Sequence, residues 1–529
     1  MRRSNLCAWL LTVLVFGFLC NAVLAQPVRI SVAQFSKDQK KVDDLKTAIA
    51  AMRKASFANP KSEEFRTSLA YWANTHGYIG TGTHATDMKK YITDYRMPQC
   101  LQTYDKKTCD TYYQHVVNIS VPDDGFSDSI WGTCQHGNLF FLPWHRFYLY
   151  YFERTVRKHM NDPGFALPYW NYFDNYSAAR KGIALPPLVV GATNTLQDQW
   201  RTPQLNEAAV VMDADSADAS QAFAFTDFTK FSNQLQGQPH GAMHCAIGSG
   251  CVMPDIGLVP IAGADPVFYM HHSNIDRLWQ CWMVRQSKGK PIDLAWAKAN
   301  LGMPDSWYGQ SYRFIDENGK PVTVKVADVF SPQYSPKYDQ LQNCGARPSA
   351  KRAAVFAKAA GSHSPLKAHL ARATNKPITL GNDTVDVALK PVLSTTGAPG
   401  DSAPSDEPST GHTYLVLEDV RLVGLPSLTY KVYVTSKAHP DKSSYVATFS
   451  YFGSGPAHAG HGDGNSLGDL IYQISGNLAE IGIESASDIR VRFVPTNLLI
   501  GQKLKQQAED SGVTVGNIRL QTSDEAPSE

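Results

Sequence analysis

Two histidine-bearing segments constrain this chain more than anything else in it. One reads CQHGNLFFLPWHRFYLYYFE from Cys134 to Glu153, with His136 and His145 nine residues apart. The other opens as HGAMH, His240 to His244, and continues in DPVFYMHHSNIDRLW, Asp265 to Trp279, which holds His271 and His272. Histidines at i and i+4 of a helix project to the same side and can share one metal. A single pair of that kind is weak evidence, because a packed or capped histidine gives the same pattern. Here the sets come twice, each in a Trp- and Phe-rich stretch, and a third histidine is available to each. Imidazole-only ligation suits copper, zinc, iron or nickel. The HExxH motif of zinc proteases is not formed, since Gly241 stands where its glutamate belongs. Neither is there a His-x-His pair of the laccase type. Two sets of three neutral histidines in an apolar helical core leave coordination open for a gas or a small substrate. That favours a coupled binuclear copper centre.

The surroundings read as mainly helical. Phe65, Leu69, Trp72 and His76 recur at helical spacing, so His76 closes an apolar stripe. A second helix is expected from near Pro143 through Arg146, Tyr150 and Arg157, and a third from Pro266 to about Val284. Residues 26–345 thus form an α domain with long loops. Residues 346–376, rich in Ala, Lys and Arg, read as a connector. From Ile378 the pattern alternates: Thr379 to Leu389, Tyr414 to Leu417, Leu428 to Val434 and Ser485 to Val494 read as strands of a β-rich domain, 377–529. Between them, Ser394 to His412 reads as a loop, and the acidic tail after Gln521 as frayed. A hydrophobic content of 43% and a charged content of 19% fit a folded protein.

Residues 1–25 read as a secretory signal: Arg2 and Arg3, an uncharged run from Cys7 to Leu19, and small residues ending at Ala25. The run is too short to span a bilayer comfortably, so we expect an exported protein, secreted or periplasmic, with no membrane partner after cleavage. Removing the two arginines leaves 48 basic against 48 acidic residues. A neutral chain gives no support to a nucleic-acid partner. Seven cysteines remain after Cys7 and Cys20 are removed, an odd number for an oxidising compartment.

HGNLFFLPWHRFYLYYFER and DPVFYMHHSNIDRLW resemble the two copper signatures of the tyrosinase, catechol oxidase and hemocyanin family. With the YWANTHG segment, the likeness runs over about residues 60 to 285. It implies a four-helix-bundle copper domain with one copper on each helix pair, followed here by a β-sandwich-like domain similar to that of plant polyphenol oxidases. It implies two copper ions, dioxygen and a small phenolic substrate. Carried over by position, His136 and His145 match ligands of the first copper, and His240 and His244 those of the second. For the first copper's remaining ligand, His76 is followed by Gly77 as in the family, while His84 and His115 stand as alternatives. For the second, the family uses the later of two adjacent histidines. That makes His272 the ligand and leaves His271 beside it. His159 and the histidines beyond His363 read as surface residues.

Further roles follow from the same resemblance. Cys134, two residues before His136, resembles the thioether crosslink of fungal tyrosinases and molluscan hemocyanins, which would fix the ring. With Cys134 set aside, the other six cysteines sort by proximity into Cys100–Cys109, Cys245–Cys251 and Cys281–Cys344. Asp265 is expected to cap the third helix, and Asp276 and Arg277 to brace the bundle. Phe268 is either core or the ring that stacks on a bound phenol. Val259 matches the gate position and is small, which leaves access open. Gly241 stands where many hydroxylating members have an asparagine, and Cys245 where some place a basic residue. Val259 and Gly241 point opposite ways on the hydroxylation of monophenols, which stays undecided; the reading leans to oxidation of o-diphenols to o-quinones. The alternatives are a full tyrosinase, or a dioxygen-binding protein with no catalysis. In the family the β domain covers the copper entrance. Phe449-Ser450-Tyr451-Phe452 is a candidate plug, although a buried strand is the plainer reading, and His458 and His461 have only a remote claim on copper. The oligomeric state, and glycosylation at Asn118-Ile119-Ser120, are open.

Overall fold

The computed structural model describes residues 26–78, 97–119, 125–248, 251, 255–341, 344, 370–372, 376–391, 411–424, 426–453, 465–504, 506–507 and 511–523. The signal segment, His84 and the pair His458 and His461 lie outside them, as does the side chain of His115. The helices that matter for the site are α1 (Gln39–Ala55), α2 (Leu69–His76), α3 (Phe141–Met160), α4 (Phe228–Leu235), α5 (Ala242–Ile247) and α6 (Val267–Ser287). Among the described residues, no helix is long and apolar enough to cross a membrane.

The expected stripe from Phe65 to His76 is not one helix. Glu63–Arg66 forms a separate turn, and Ser68 starts α2 by accepting a hydrogen bond from Tyr71 N at 3.1 Å. Helix α3 begins two residues before Pro143, which places the proline's missing N–H among the first amides, where no intrahelical partner exists. Its far end turns at Asn161 in the left-handed region (φ 50°). At α6, the Asp265 carboxylate accepts from Val267 N at 2.9 Å, as a cap should, and is held by Arg201 at 2.6 and 2.7 Å, both side chains fully buried. The helix runs three residues past the expected Val284.

Helices α3 and α6 are tied by charge as well as by packing. Arg146 on α3 bonds Asp276 on α6 at 2.7 Å, and Arg29, from the start of the described chain, reaches Glu153 at 2.9 Å and Asp276 at 3.2 Å. Arg277 bonds Asn274 Oδ1 at 2.8 Å and sits 4.5 Å over the Tyr169 ring. Buried ion pairs of this kind add little net stability, but losing one partner is expensive, so they hold one register of the two helices.

The second half is sheet. Four antiparallel strands run in the order β3 (Val385–Ala388), β9 (Ile489–Thr496), β6 (Thr429–Ser436), β7 (Ser443–Phe449). The other sheet has the order β4 (Lys390–Pro391), β1 (Leu370–Arg372), β10 (Gly512–Ser523), β5 (His412–Val423), β8 (Ser466–Gln473), with β2 (Ile378–Leu380) also on β10. Strict alternation of burial along β9 is the pattern of a strand with one face in a core. Tyr430 of the first sheet donates to Leu380 O of the second at 2.9 Å, joining the two. Strand β1 falls inside the expected connector. It pairs with β10 from Arg372↔Arg519 to Leu370↔Gln521 and with β4 on its other side, and a strand of three residues is too short to carry an alternation that a sequence could show.

The β domain is moored to the helical one at several points. Leu499–Ile500 pairs with Val211–Asp213 and so adds a strand to a small sheet of the helical domain. Lys431 forms ion pairs with Asp213 and Asp215. Gln221 exchanges hydrogen bonds with the Gln473 main chain, both at 3.1 Å.

Candidate metal centre

Seven buried histidines face one another in the helical domain. His76, His136 and His145 form one group, and His240, His244, His271 and His272 another; in each, the candidate ligand nitrogens lie within 4.8 Å of one another. His76 is the last residue of α2, His145 lies in the second turn of α3, and His271 and His272 are on α6. His240 sits in the wide, kinked turn Gln236–Gly241 that leads into α5, which carries His244. His136 stands on the loop before α3, so the expectation of one metal on each helix pair fails at that ligand.

Ring orientation is set by the main chain. His76 Nδ1 bonds Val259 O at 2.8 Å, His145 Nδ1 bonds Phe141 O at 2.8 Å, His240 Nδ1 bonds Gln236 O at 3.0 Å and His244 Nδ1 bonds Ile256 O at 2.6 Å. A carbonyl can only accept, so each Nδ1 carries the proton, and a neutral ring then presents a bare Nε2 lone pair. Burial holds His145, His244, His271 and His272 well below the usual imidazole range, and His240 is pushed down to about 3 for the same reason. The rings are therefore neutral, which is the form that binds metal.

The lone pairs converge. His145 Nε2 is 3.3 Å from His76 Nε2, and His244 Nε2 is 3.1 Å from His272 Nε2. Two acceptors so close repel unless a cation or a proton lies between them. The Nε2 atoms of His240 and His271 are buried without a hydrogen-bond partner. Such an arrangement, dry and lined by neutral imidazoles, fits one soft or borderline divalent metal in each group. The His145 and His272 rings stack with centroids 4.6 Å apart, so the two groups abut and their metals would be neighbours.

The supporting residues fall into place around this centre. Phe268 is fully buried and stacks on His272 at 4.1 Å, which favours the core reading over a ring that meets substrate. Tyr172, which the sequence did not single out, bonds His271 Nδ1 at 2.8 Å. Cys134 Sγ lies 3.4 Å from His136 Nδ1, and burial pushes its thiol well above the ordinary range. The disulfides are Cys100–Cys109, Cys245–Cys251 and Cys281–Cys344, and Cys134 is a free thiol.

Access to the centre is not open at the small Val259, whose side chain is buried and whose carbonyl orients His76. A segment of the β domain covers the second group instead. Strand β7 stops at Phe449, so the run to Phe452 is not a buried strand. The Phe452 ring stacks on His244 with centroids 3.8 Å apart, and lies 5.4 Å from His240 and 5.9 Å from His136. Gly453 follows with φ 87°, a conformation that suits glycine, and a Cβ there would stand 3.4 Å from His136 Cβ. Thr448 N donates to Gln238 Oε1 at 2.8 Å and Ser450 Oγ to Gly237 O at 3.2 Å, both acceptors belonging to the turn that carries His240.

Residues 66–200 and 191–285 match the family model for the common central domain of tyrosinase. A tyrosinase, HcTyr1, of Hahella sp. (strain CCB-MM4) is 29% identical over 294 residues, 48% of this chain and 58% of that one. The latent form of a chloroplastic polyphenol oxidase from Prunus armeniaca is 26% identical over 447 residues, 77% of this chain and 68% of that one. This chain thus spans between about half and two thirds of the length of these two relatives. Among solved structures, a recombinantly expressed latent aurone synthase, a polyphenol oxidase, superimposes with a TM-score of 0.57 at 19% identity, over 96% of this chain and 90% of the other. That likeness is one of fold.

Proposed function

We propose that the chain is a member of the tyrosinase and polyphenol oxidase family, a copper-dependent phenol oxidase whose own β domain covers the catalytic centre. His76, His136 and His145 hold one copper. His240, His244 and His272 hold the other, with His271 kept beside them by Tyr172. The observation that carries this reading is the convergence of two abutting groups of buried histidines, four of which have their Nδ1 protons engaged by main-chain carbonyls.

Two copper ions, when bound, supply the redox chemistry that moves electrons from the phenol to dioxygen. The protein's part is orientation and exclusion of water. Two catechols lose two protons and two electrons each, giving two o-quinones, and one dioxygen takes up all four of each to become two waters. We assign o-diphenols as the substrate class, because Gly241 offers no side chain that could help deprotonate a monophenol. In the closed form described above, the Phe452 ring occupies the face of His244 that a flat phenol would approach. Two of the similar proteins carry the word latent in their names, which agrees with a covered form. Export, in a secreted or periplasmic form, belongs to the same reading and rests on residues 1–25.

Copper content and oxygen uptake test the proposal together. The full chain should bind two coppers and oxidise catechol in preference to the matching monophenol, faster when Phe452 is replaced by alanine. Less than stoichiometric copper would sink it. Reversible dioxygen binding without turnover in the uncovered variant would make the chain a carrier.

A further inference from the structure

Gly241 is where the cover meets the second histidine group most tightly. A Cβ at this position would stand 2.3 Å from Ser450 Oγ, 3.1 Å from Gln236 O and 3.3 Å from Phe452 Cβ. Its backbone (φ −64°, ψ −37°) is ordinary helix, which any residue adopts. Glycine is a poor choice for helix on propensity alone. The conformation does not ask for glycine; the contact with the β domain does. By comparison, the neighbouring Gly237 has open space where a Cβ would go.

We propose that glycine at 241 is what allows residues 450–453 to seat on the histidines, so that this position sets the balance between covered and open forms of the enzyme. The inference rests on the reading that the β domain covers a phenol-oxidising centre. An alanine at 241 would push Ser450 Oγ off its bond to Gly237 O, a limited loss. An asparagine would send its amide past Cβ into the volume held by Phe452, and the segment could not close over it. A hydrogen-bonding side chain beside the phenol and a seated cover therefore compete for the same volume. In this chain the cover has it.

The test is a double-mutant cycle on the full-length, copper-loaded protein with catechol: wild type, Phe452→Ala, Gly241→Asn and the double variant. Phe452→Ala and Gly241→Asn should each raise kcat/KM about tenfold, the change that ~1.4 kcal/mol of lost seating produces. The double variant should lie within about twofold of Phe452→Ala, since a cover is removed only once. A second readout needs neither metal nor activity: in metal-free protein, amides of residues 448–453 should exchange faster in Gly241→Asn than in wild type. If the asparagine variant is poorly folded, Gly241→Ala takes its place, and Ser450→Ala added to it should restore slow exchange. Wild-type exchange in both Gly241 variants would overturn the inference. Equal turnover by wild type and Phe452→Ala would overturn the covering reading instead, and the exchange comparison would still decide the role of Gly241.

Discussion

The ring of Phe452 lies parallel to that of His244, centroids 3.8 Å apart and planes 8° from one another. One residue belongs to the β domain and the other is a candidate metal ligand on α5. The stack leaves His244 Nε2 aimed at His272 while its ring face is closed to an arriving aromatic. Covering thus need not disturb coordination.

Replacing Phe452 by alanine should uncover the site at a modest cost to the fold. The side chain is only partly buried, so about 1–2 kcal/mol should be lost, below the usual range for a core phenylalanine. Oxygen uptake with catechol should rise while thermal unfolding moves down by a few degrees.

Metal content separates the two adjacent histidines of α6. His272→Ala should bring copper from about two ions per chain to about one, and His240→Ala should do the same. His271→Ala should keep both ions, because His240, His244 and His272 complete the proposed ligand set without it. Measuring copper after gel filtration decides; retention of both ions by His272→Ala would hand the ligand role to His271.

Lys431 locks the two domains together. Burial works against its charge, but the Asp215 and Asp213 carboxylates more than offset this and hold it above its ordinary value of 10.5. A raised lysine contributes stability that is complete below its unfolded value and is lost only as pH rises past it, so this contact is at full strength at neutral pH. Lys431→Met should weaken domain attachment by about 1–3 kcal/mol, since it leaves two carboxylates facing an apolar chain. Catechol turnover by the full chain should rise, with no such rise in a Phe452→Ala background.

Cys134 offers a chemical check on the first group. Its Sγ is 3.4 Å from His136 Nδ1, and the thiol is protonated at any ordinary pH. If copper and dioxygen drive a bond between sulfur and a ring carbon of His136, the peptide holding both residues loses two hydrogens and its thiol resists alkylation. Mass spectrometry of metal-free and copper-loaded, aerated protein should show that difference. An unchanged mass with a free thiol would leave His136 oriented without a covalent link.

The histidines of both groups were legible because they recur in aromatic segments, His240 and His244 at helical spacing, and the family resemblance then assigned His136, His145, His240 and His244 to their metals. His76 ranked above its rivals because it closes an apolar stripe and Gly77 follows it. The start of α6 was readable from Asp265, whose carboxylate accepts from Val267 N; the break at Ser68 was not, because Phe65 and Leu69 keep helical spacing across it. Phe452 was harder: the run from Phe449 to Phe452 has the composition of a strand, and only the position of the β6–β7 ladder ends it at Phe449. Gly241 drew notice for the side chain it lacks; what fills that space comes from a residue more than two hundred positions away. The part of Val259 that acts on the centre is its carbonyl, and a backbone atom leaves no mark in a sequence.

The four acceptors that aim His76, His145, His240 and His244 are peptide oxygens of Val259, Phe141, Gln236 and Ile256. Every amino acid supplies that atom, so substitution at those positions cannot delete it. A lineage can enlarge or shrink the buried side chain at 259 while His76 keeps the same bearing. Selectivity is free to drift there on a ligand frame that point mutation barely reaches.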